Sequence, residues 1–301
     1  MNSHHHHEHQ PPAGTDDAAM AGLLDLDAEV LHSYLSEMTA WVHELAGDPP
    51  TRRILDLGSG TGTGTLALLQ RFAGADAIAL DISPQLLQRL RDKARVAGVA
   101  DRVRTVQADL DASWPAIEPV DLVWASSSLH HMADPARALA EVFAVLRPGG
   151  LLAVIEMDSF PRFLPDHLGL GRPGLEARCH AALAEAHGEE LPQLGADWGS
   201  HLSRAGFTIE ARRPFVIHLT PPLPAAAGRY AQASLRRARS HLDGRMSADD
   251  LATLDLLIDS DGPDGVLQRD DLTIRTTRTT WVARRPAGPS SRSRASGQLS
   301  S

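Results

Sequence analysis

Three glycines at alternate positions, Gly58, Gly60 and Gly62, follow the short apolar run from Arg53 to Leu57 and precede a helical pattern that starts near Thr63. Without Cβ atoms the chain can turn sharply there and let a ligand approach its backbone, while the helix behind it offers unpaired N–H groups and a positive dipole end. Such a turn holds a nucleotide-like cofactor. An acidic residue about 20 residues further on completes a site of this kind. Asp81 closes the run "AIALDIS" at that spacing, where its carboxylate can accept from both hydroxyls of a ribose. A dinucleotide fingerprint is disfavoured by position: counted from Gly58 its last glycine falls on Thr63, and counted from Gly60 on Thr65. The phosphate loop of nucleoside triphosphatases fails as well, because no Lys-Ser or Lys-Thr pair follows the glycines.

These residues need a parallel sheet to bring them to one edge, and the chain supplies its pattern. Short apolar strands are expected at "RILDL", "DAIALDI", "VRTVQAD", "VDLVWASS" and "GGLLAVIEM", with helices beginning near Thr63, Pro84 and Pro135. One long amphipathic helix is expected before the first strand, from the spacing of Leu23, Leu24, Val30, Leu31, Tyr34, Leu35, Met38, Trp41, Val42 and Leu45. Two insertions interrupt the alternation. The first is largely helical from about Ser159 to Leu194. The second, after "FTIEARRPFVIHLT", holds a helix through Tyr230 and Leu242 and another started by Ser247 and Asp250 as a capping-box-like pair. The last strand, "LTIRTTRTTWVARR", is expected to run antiparallel. Residues 1–17, rich in His, and 286–301, rich in Ser, Arg and Gly, are expected to lie outside a single folded domain over 18–285.

Further residues fall in order at the ends of successive strands: Asp56, Ser59, Ile82, Asp109 with Leu110, and Ser126 within "VDLVWASSSLHHMADPARALAEVFAVLRPGGLLAVIEM". In this series, from Arg53 to Met157, the chain resembles the class I S-adenosylmethionine-dependent methyltransferases, with further support from "LSRAGF" and the final strand pair. The resemblance implies an α/β, Rossmann-like doubly wound sheet of seven strands in the order 3-2-1-4-5-7-6, the seventh antiparallel, with the cofactor at its carboxyl edge. It implies S-adenosyl-L-methionine as cofactor, held by Asp56, Gly58, Ser59, Gly60, Gly62, Asp81, Ile82, Asp109, Leu110 and Ser126. Helical segments at 18–47, 159–195 and 221–270 would cap that edge over a substrate, or form the interface of a homodimer.

A sulfonium already activates its methyl group, so such an enzyme mainly holds a nucleophile in line and excludes water. A base helps with a hydroxyl, amine or acidic carbon, and His130 and His131, in the loop after the fourth strand, are the candidate catalytic residues. No metal is expected: the loop reads Ser126-Ser127-Ser128, and no Asp-Asn pair follows the fifth strand beside Glu156 and Asp158. Tyr230, Arg236, Arg237 and Arg239 suit an acidic or aromatic substrate, although a run of arginines on a helix is by default a solvated face. A formal charge of −9 disfavours a long nucleic-acid track, and "ASSSLHHM" stands where enzymes that methylate base amines carry an N/D-P-P-Y/F motif. One cysteine, Cys179, excludes an intrachain disulfide, and no apolar run reaches the ~20 residues of a membrane span. The expectation is a cytoplasmic methyltransferase acting on O, C or N of a small molecule, without nucleic-acid or membrane partners. The alternatives are a cyclisation or decarboxylation at the same cofactor, a non-catalytic cofactor-binding module, and, disfavoured by Thr63 and Thr65, an NAD-dependent oxidoreductase.

Overall fold

Two strand-to-helix junctions in the first half of the chain carry a side-chain cap. Ser83 caps a helix over Pro84–Val96 by accepting from the Leu86 N–H, and Asp134 caps Pro135–Val145 by accepting from the Arg137 N–H, each with proline at the first helical position. The computed structural model describes residues 13–190, 193–259 and 262–287. In chain order the helices and strands are α1 (Ala13–Val30), α2 (His32–Ala46), β1 (Arg53–Leu57), α3 (Thr63–Arg71), β2 (Asp76–Asp81), α4 (Pro84–Val96), β3 (Val103–Gln107), β4 (Val120–Ser126), α5 (Pro135–Val145), β5 (Leu146–Met157), α6 (Leu175–Glu190), α7 (Trp198–Arg204), β6 (Thr208–Leu219), α8 (Ala227–Arg239), α9 (Ala248–Asp259) and β7 (Ile274–Arg284).

The strands form one seven-stranded sheet in the order β3-β2-β1-β4-β5-β7-β6. Neighbours from β3 to β5 pair in parallel, and β7 runs antiparallel to both β5 and β6. This is the expected topology, and its strand order reverses between β1 and β4, which opens a crevice at their carboxyl ends. Alternate residues of the strands feed two apolar layers. Ile54, Trp124, Ile155 and Val282 pack with α2, α3, α6, α8 and α9, whereas Leu55, Val123, Val154 and Trp281 pack with α5 and α7.

Three expectations are corrected. The N-terminal helix is two helices, broken at Leu31 (φ −102°, ψ 22°). The Leu31 N–H still bonds to Asp27 O at 2.8 Å, so the break is a kink. It lets the two helices cover different surfaces: α1 lies against α4 and α8, and α2 against α3 and β5. In the first insertion, residues 159–174 are mostly irregular, tied down by backbone bonds between Arg162 and Arg275. Glu176 of α6 replaces helical hydrogen bonding there by accepting from the Phe163 N–H at 2.5 Å and the Leu164 N–H at 3.2 Å. Half of the expected capping box is present. Ser247 accepts from the Asp250 N–H, but the buried Asp250 carboxylate turns to Arg172 and Arg178 instead. Those two guanidiniums hold the carboxyl below the usual range against the opposing effect of burial.

Helix α1 begins at Ala13, inside the segment expected to lie outside the domain, and Asp17 on it accepts from the Ser83 hydroxyl at 2.7 Å. The His4 to His9 cluster and the chain from Gly288 onward lie outside the described residues.

Candidate functional site

The glycine loop leaves β1 with Gly58, Gly60 and Gly62 all at positive φ, +65°, +52° and +82°. Their missing Cβ atoms face three different neighbours. A Cβ on Gly58 would lie 2.5 Å from Ser128 Cβ, one on Gly60 3.0 Å from Leu24 Cδ1, and one on Gly62 1.6 Å from Leu90 Cδ1. Gly62 is therefore required by the packing of α4 against the loop, while Gly58 and Gly60 line the crevice between the loop, the β4 end and α1.

Asp81, at the end of β2, ties the loop to α4. One oxygen accepts from the Gly60 N–H at 2.8 Å and the other from the Ser83 N–H at 2.9 Å. Burial raises its pKa above the ordinary carboxylate value; those N–H groups oppose the shift and the neighbouring Asp17 charge adds to it. Each oxygen keeps a lone pair for a further donor. Ile82 beside it is 61% exposed, an apolar surface open at the site edge. Asp109 is exposed and accepts from the N–H groups of Asp111 and Ala112, which closes the turn after β3, and Leu110 is half-buried behind it.

Asp56 sits deeper. It is buried under the loop and accepts from the Thr65 hydroxyl at 2.5 Å. Burial pushes its carboxyl up to about 7, opposed by the Thr65 hydroxyl and reinforced by the Asp81 charge. The folded protein thus binds this proton more tightly than the unfolded chain does at 3.8, so the contribution to stability is complete below about pH 4 and is lost as pH rises through about 7. Asp56→Asn, which keeps an acceptor for Thr65, is expected to raise stability at pH 8 by at most about 4 kcal/mol and to flatten the pH dependence between 4 and 7. Thermal denaturation against pH checks this. A variant with the wild-type curve would show that Asp56 does not titrate in that range.

The β4 end supplies the second half of the site. Ser126 ends the strand, half-buried, and Ser127 is the one non-glycine among the described residues at positive φ, +52°, a conformation that costs about 1–3 kcal/mol. Its N–H bonds to Ile155 O at 2.7 Å, the last rung of the parallel β4–β5 ladder. His130 follows in a 3-10 turn, Leu129–His131, only 4% exposed. Its Nδ1 lies 2.5 Å from Glu156 Oε2, and the other Glu156 oxygen accepts from the Leu129 N–H at 3.1 Å. A carboxylate at Nδ1 places the ring proton there and leaves Nε2 as an acceptor, with no hydrogen-bond partner among the described residues. The His131 ring lies against His130, tilted by 42° with ring centres 4.1 Å apart, and its outer side is exposed. Partial burial, His130 and the Arg237 charge push its pKa down to about 4, so it is neutral at pH 7. Asp158 accepts from the hydroxyl of Thr279, the cross-strand partner of Glu156, at 3.0 Å.

Sequence reasoning missed how α1 covers the loop. Leu24 lies over Gly60, and Asp25 accepts from the Thr61 hydroxyl at 2.7 Å and pairs with Lys93 and Arg89 of α4. Burial alone would raise the Asp25 pKa, but Lys93, Thr61 and Arg89 bring it below the ordinary value. Arg236 and Arg239 are spent on Asp259, Asp255 and Asp243 within the cap. His180 is partly buried, and that burial lowers its pKa to about 4, with Arg162 and Arg275 acting in the same direction; the His187 side chain lies outside the described part. The alternating charges of α1, Asp25 and Asp27, were the available signal for that cover.

The crevice fits a ribose-bearing cofactor. It has two glycines without Cβ atoms, a carboxylate with free lone pairs, and two buried hydroxyls, Ser59 Oγ and Ser128 Oγ, without partners among the described residues. Fold and site together define a Rossmann-like methyltransferase. A family model described as a methyltransferase domain matches residues 54–150. The 27-O-demethylrifamycin SV methyltransferase of Amycolatopsis mediterranei is 32% identical over 243 residues, 75% of this chain and 84% of that protein. The demethylmenaquinone methyltransferase of Thermus thermophilus is 36% identical over 119 residues, and the trans-aconitate 2-methyltransferase of Acidovorax ebreus 37% over 147. These two align with 40% and 48% of this chain, which spans about half of their length, 53% in each case. A Bacillus halodurans structure described as a methyltransferase superposes with a TM-score of 0.52 at 18% identity, covering 82% of this chain and 98% of that one. The chain belongs to the class I S-adenosylmethionine-dependent methyltransferase family. Among the described residues no helix is long and apolar enough to cross a membrane.

Proposed function

We propose that this protein binds S-adenosyl-L-methionine at the β1–α3 loop and transfers its methyl group to O, C or N of a small-molecule acceptor by in-line displacement. The observation that carries this reading is the buried His130–Glu156 pair, held at the β4 and β5 ends beside the glycine loop. Asp81 would accept from the ribose hydroxyls, and Gly58, Ser59 and Gly60 would face the remainder of the cofactor. Ile82, Asp109 and Leu110 would border its adenine, and Ser126 the methyl-donating end. Asp56 and Gly62 act by shaping the loop. The bound cofactor supplies an activated methyl group on a sulfonium. The chain's task is to place the acceptor atom in line and keep water away, for which the helices over the crevice are suited.

His130 Nε2 would take a proton from the acceptor. Glu156 orients the ring and stabilises the imidazolium that results, the role a carboxylate plays behind a catalytic histidine. His131, neutral and exposed, borders the entrance. The direct test is a metabolite extract incubated with the protein and methyl-labelled S-adenosylmethionine, followed by mass spectrometry. A labelled small-molecule product is expected. Conversion of a metabolite without gain of label would point to cyclisation or decarboxylation, and cofactor binding without any conversion to a binding module.

A further inference from the structure

Arg278 of β7 pairs with Met157 at the end of β5, on the sheet face opposite to that of the Glu156–Thr279 pair. Its guanidinium is buried among residues of three helices. Nη2 donates to Asp27 of α1, the Tyr230 hydroxyl of α8 donates to the same Asp27 oxygen at 2.6 Å, and the Tyr34 ring of α2 lies 5.4 Å from the guanidinium carbon. Polar capacity is left over in this cluster. Arg278 Nε and, on the same face of β7, Thr276 Oγ1 are buried without a hydrogen-bond partner among the described residues. The Tyr34 hydroxyl donates to Met38 Sδ at 3.1 Å, a weak acceptor, and interacts with Arg278 and Thr280 as well.

The carboxylate that answers Arg278 comes from the helix that also covers the cofactor loop. Leu24, three residues before Asp27, fills the space in front of Gly60, and Asp25 is tied to Thr61 and Lys93. A shift of α1 that opened the space in front of Gly60 would also move Asp27 relative to Arg278, since Leu24 and Asp27 lie on the same helix. A guanidinium buried this completely is costly to leave without a counter-ion. Its planar fork, with two phenol hydroxyls beside it, matches a carboxylate.

We infer that Arg278, Tyr230 and Tyr34 form a carboxylate-binding subsite for the acceptor, occupied in this structure by Asp27 as an internal stand-in. An acidic acceptor enters as α1 moves off the loop, and one carboxylate replaces the other without a change of charge in the cluster. The inference rests on the methyl-transfer reading for the identity of the ligand as acceptor, but the subsite itself is tested without turnover.

Benzoate is the probe, titrated by calorimetry into the full chain. Asp27→Ala is expected to bind benzoate at least about ten-fold more tightly than wild type, and the double variant Asp27→Ala with Arg278→Met to lose that gain. Asp27→Asn, which keeps an acceptor for Tyr230 while removing the charge, serves if the alanine variant does not fold, and is expected to show the same direction. Equal benzoate affinity in wild type and both Asp27 variants would overturn the subsite, as would a gain that survives the loss of Arg278. Affinity for S-adenosylmethionine is measured on the same samples. Failed benzoate binding with cofactor binding intact overturns the subsite alone, whereas benzoate binding without methyl transfer to any acceptor overturns the methyl-transfer reading alone.

Discussion

Asp81→Ala is expected to weaken S-adenosylmethionine binding by about 100-fold or more. Hydrogen bonds to a charged group contribute about 1.5–3 kcal/mol each, and each 1.4 kcal/mol is tenfold in Kd, so losing two ribose contacts reaches that range. A second effect adds to it, because the Gly60 and Ser83 N–H groups lose their acceptor and the loop loses its tie to α4. Asp81→Asn keeps the shape and one acceptor oxygen and should fall between the two. Acidification should act in the same direction: with its pKa raised by burial, Asp81 takes up a proton above the usual carboxylate range, and affinity drops there. Calorimetric titration of folded variants, with thermal denaturation as control, provides the measurement. An unchanged Kd for Asp81→Ala would remove the cofactor from this crevice.

The second large effect is on turnover. His130→Ala is expected to lower kcat by about 10²–10⁴, the range of a general base, with cofactor affinity nearly unchanged. Glu156→Gln should lower kcat as well, since an amide can present its N–H₂ to Nδ1 and favour the tautomer whose proton sits on Nε2. His131→Ala separates the two histidines. Were His131 the base, the acidic limb of the rate profile would fall near its pKa of about 4 and disappear with its removal. With His130 as base, turnover persists in His131→Ala and is lost in His130→Ala. Turnover within threefold of wild type in His130→Ala would refute the assignment.

Much of this frame could be read from residue order because its signals are local. The run "RILDL" is β1 residue for residue, and the helices after Gly62, Ser83 and Asp134 start where glycine, serine and aspartate caps precede them. Strand order followed from the family resemblance and agrees with the pairing observed. Other features depended on what lies across from a residue. The apolar period of residues 23–45 looks the same for one helix or two, and only the two surfaces it covers place the kink at Leu31. Asp250 reads as half of a capping box until Arg172 and Arg178, more than seventy residues earlier, take its carboxylate.

Taken alone, the sequence determined the glycine turn, the acid at the end of β2, the paired histidines and the alternation that brings them to one edge. Spacing and strand period are enough for these, since each is decided within a few tens of residues. Tertiary structure decided which glycine serves packing and which faces the crevice, through Leu90 and Leu24. It also singled out His130 through the carboxylate of Glu156, and set Asp27 on Arg278 across 251 residues of chain. Buried charge is the physical reason: its position is stable only when a partner is brought to it, and that partner is chosen by how helices pack on the sheet and not by neighbours in sequence.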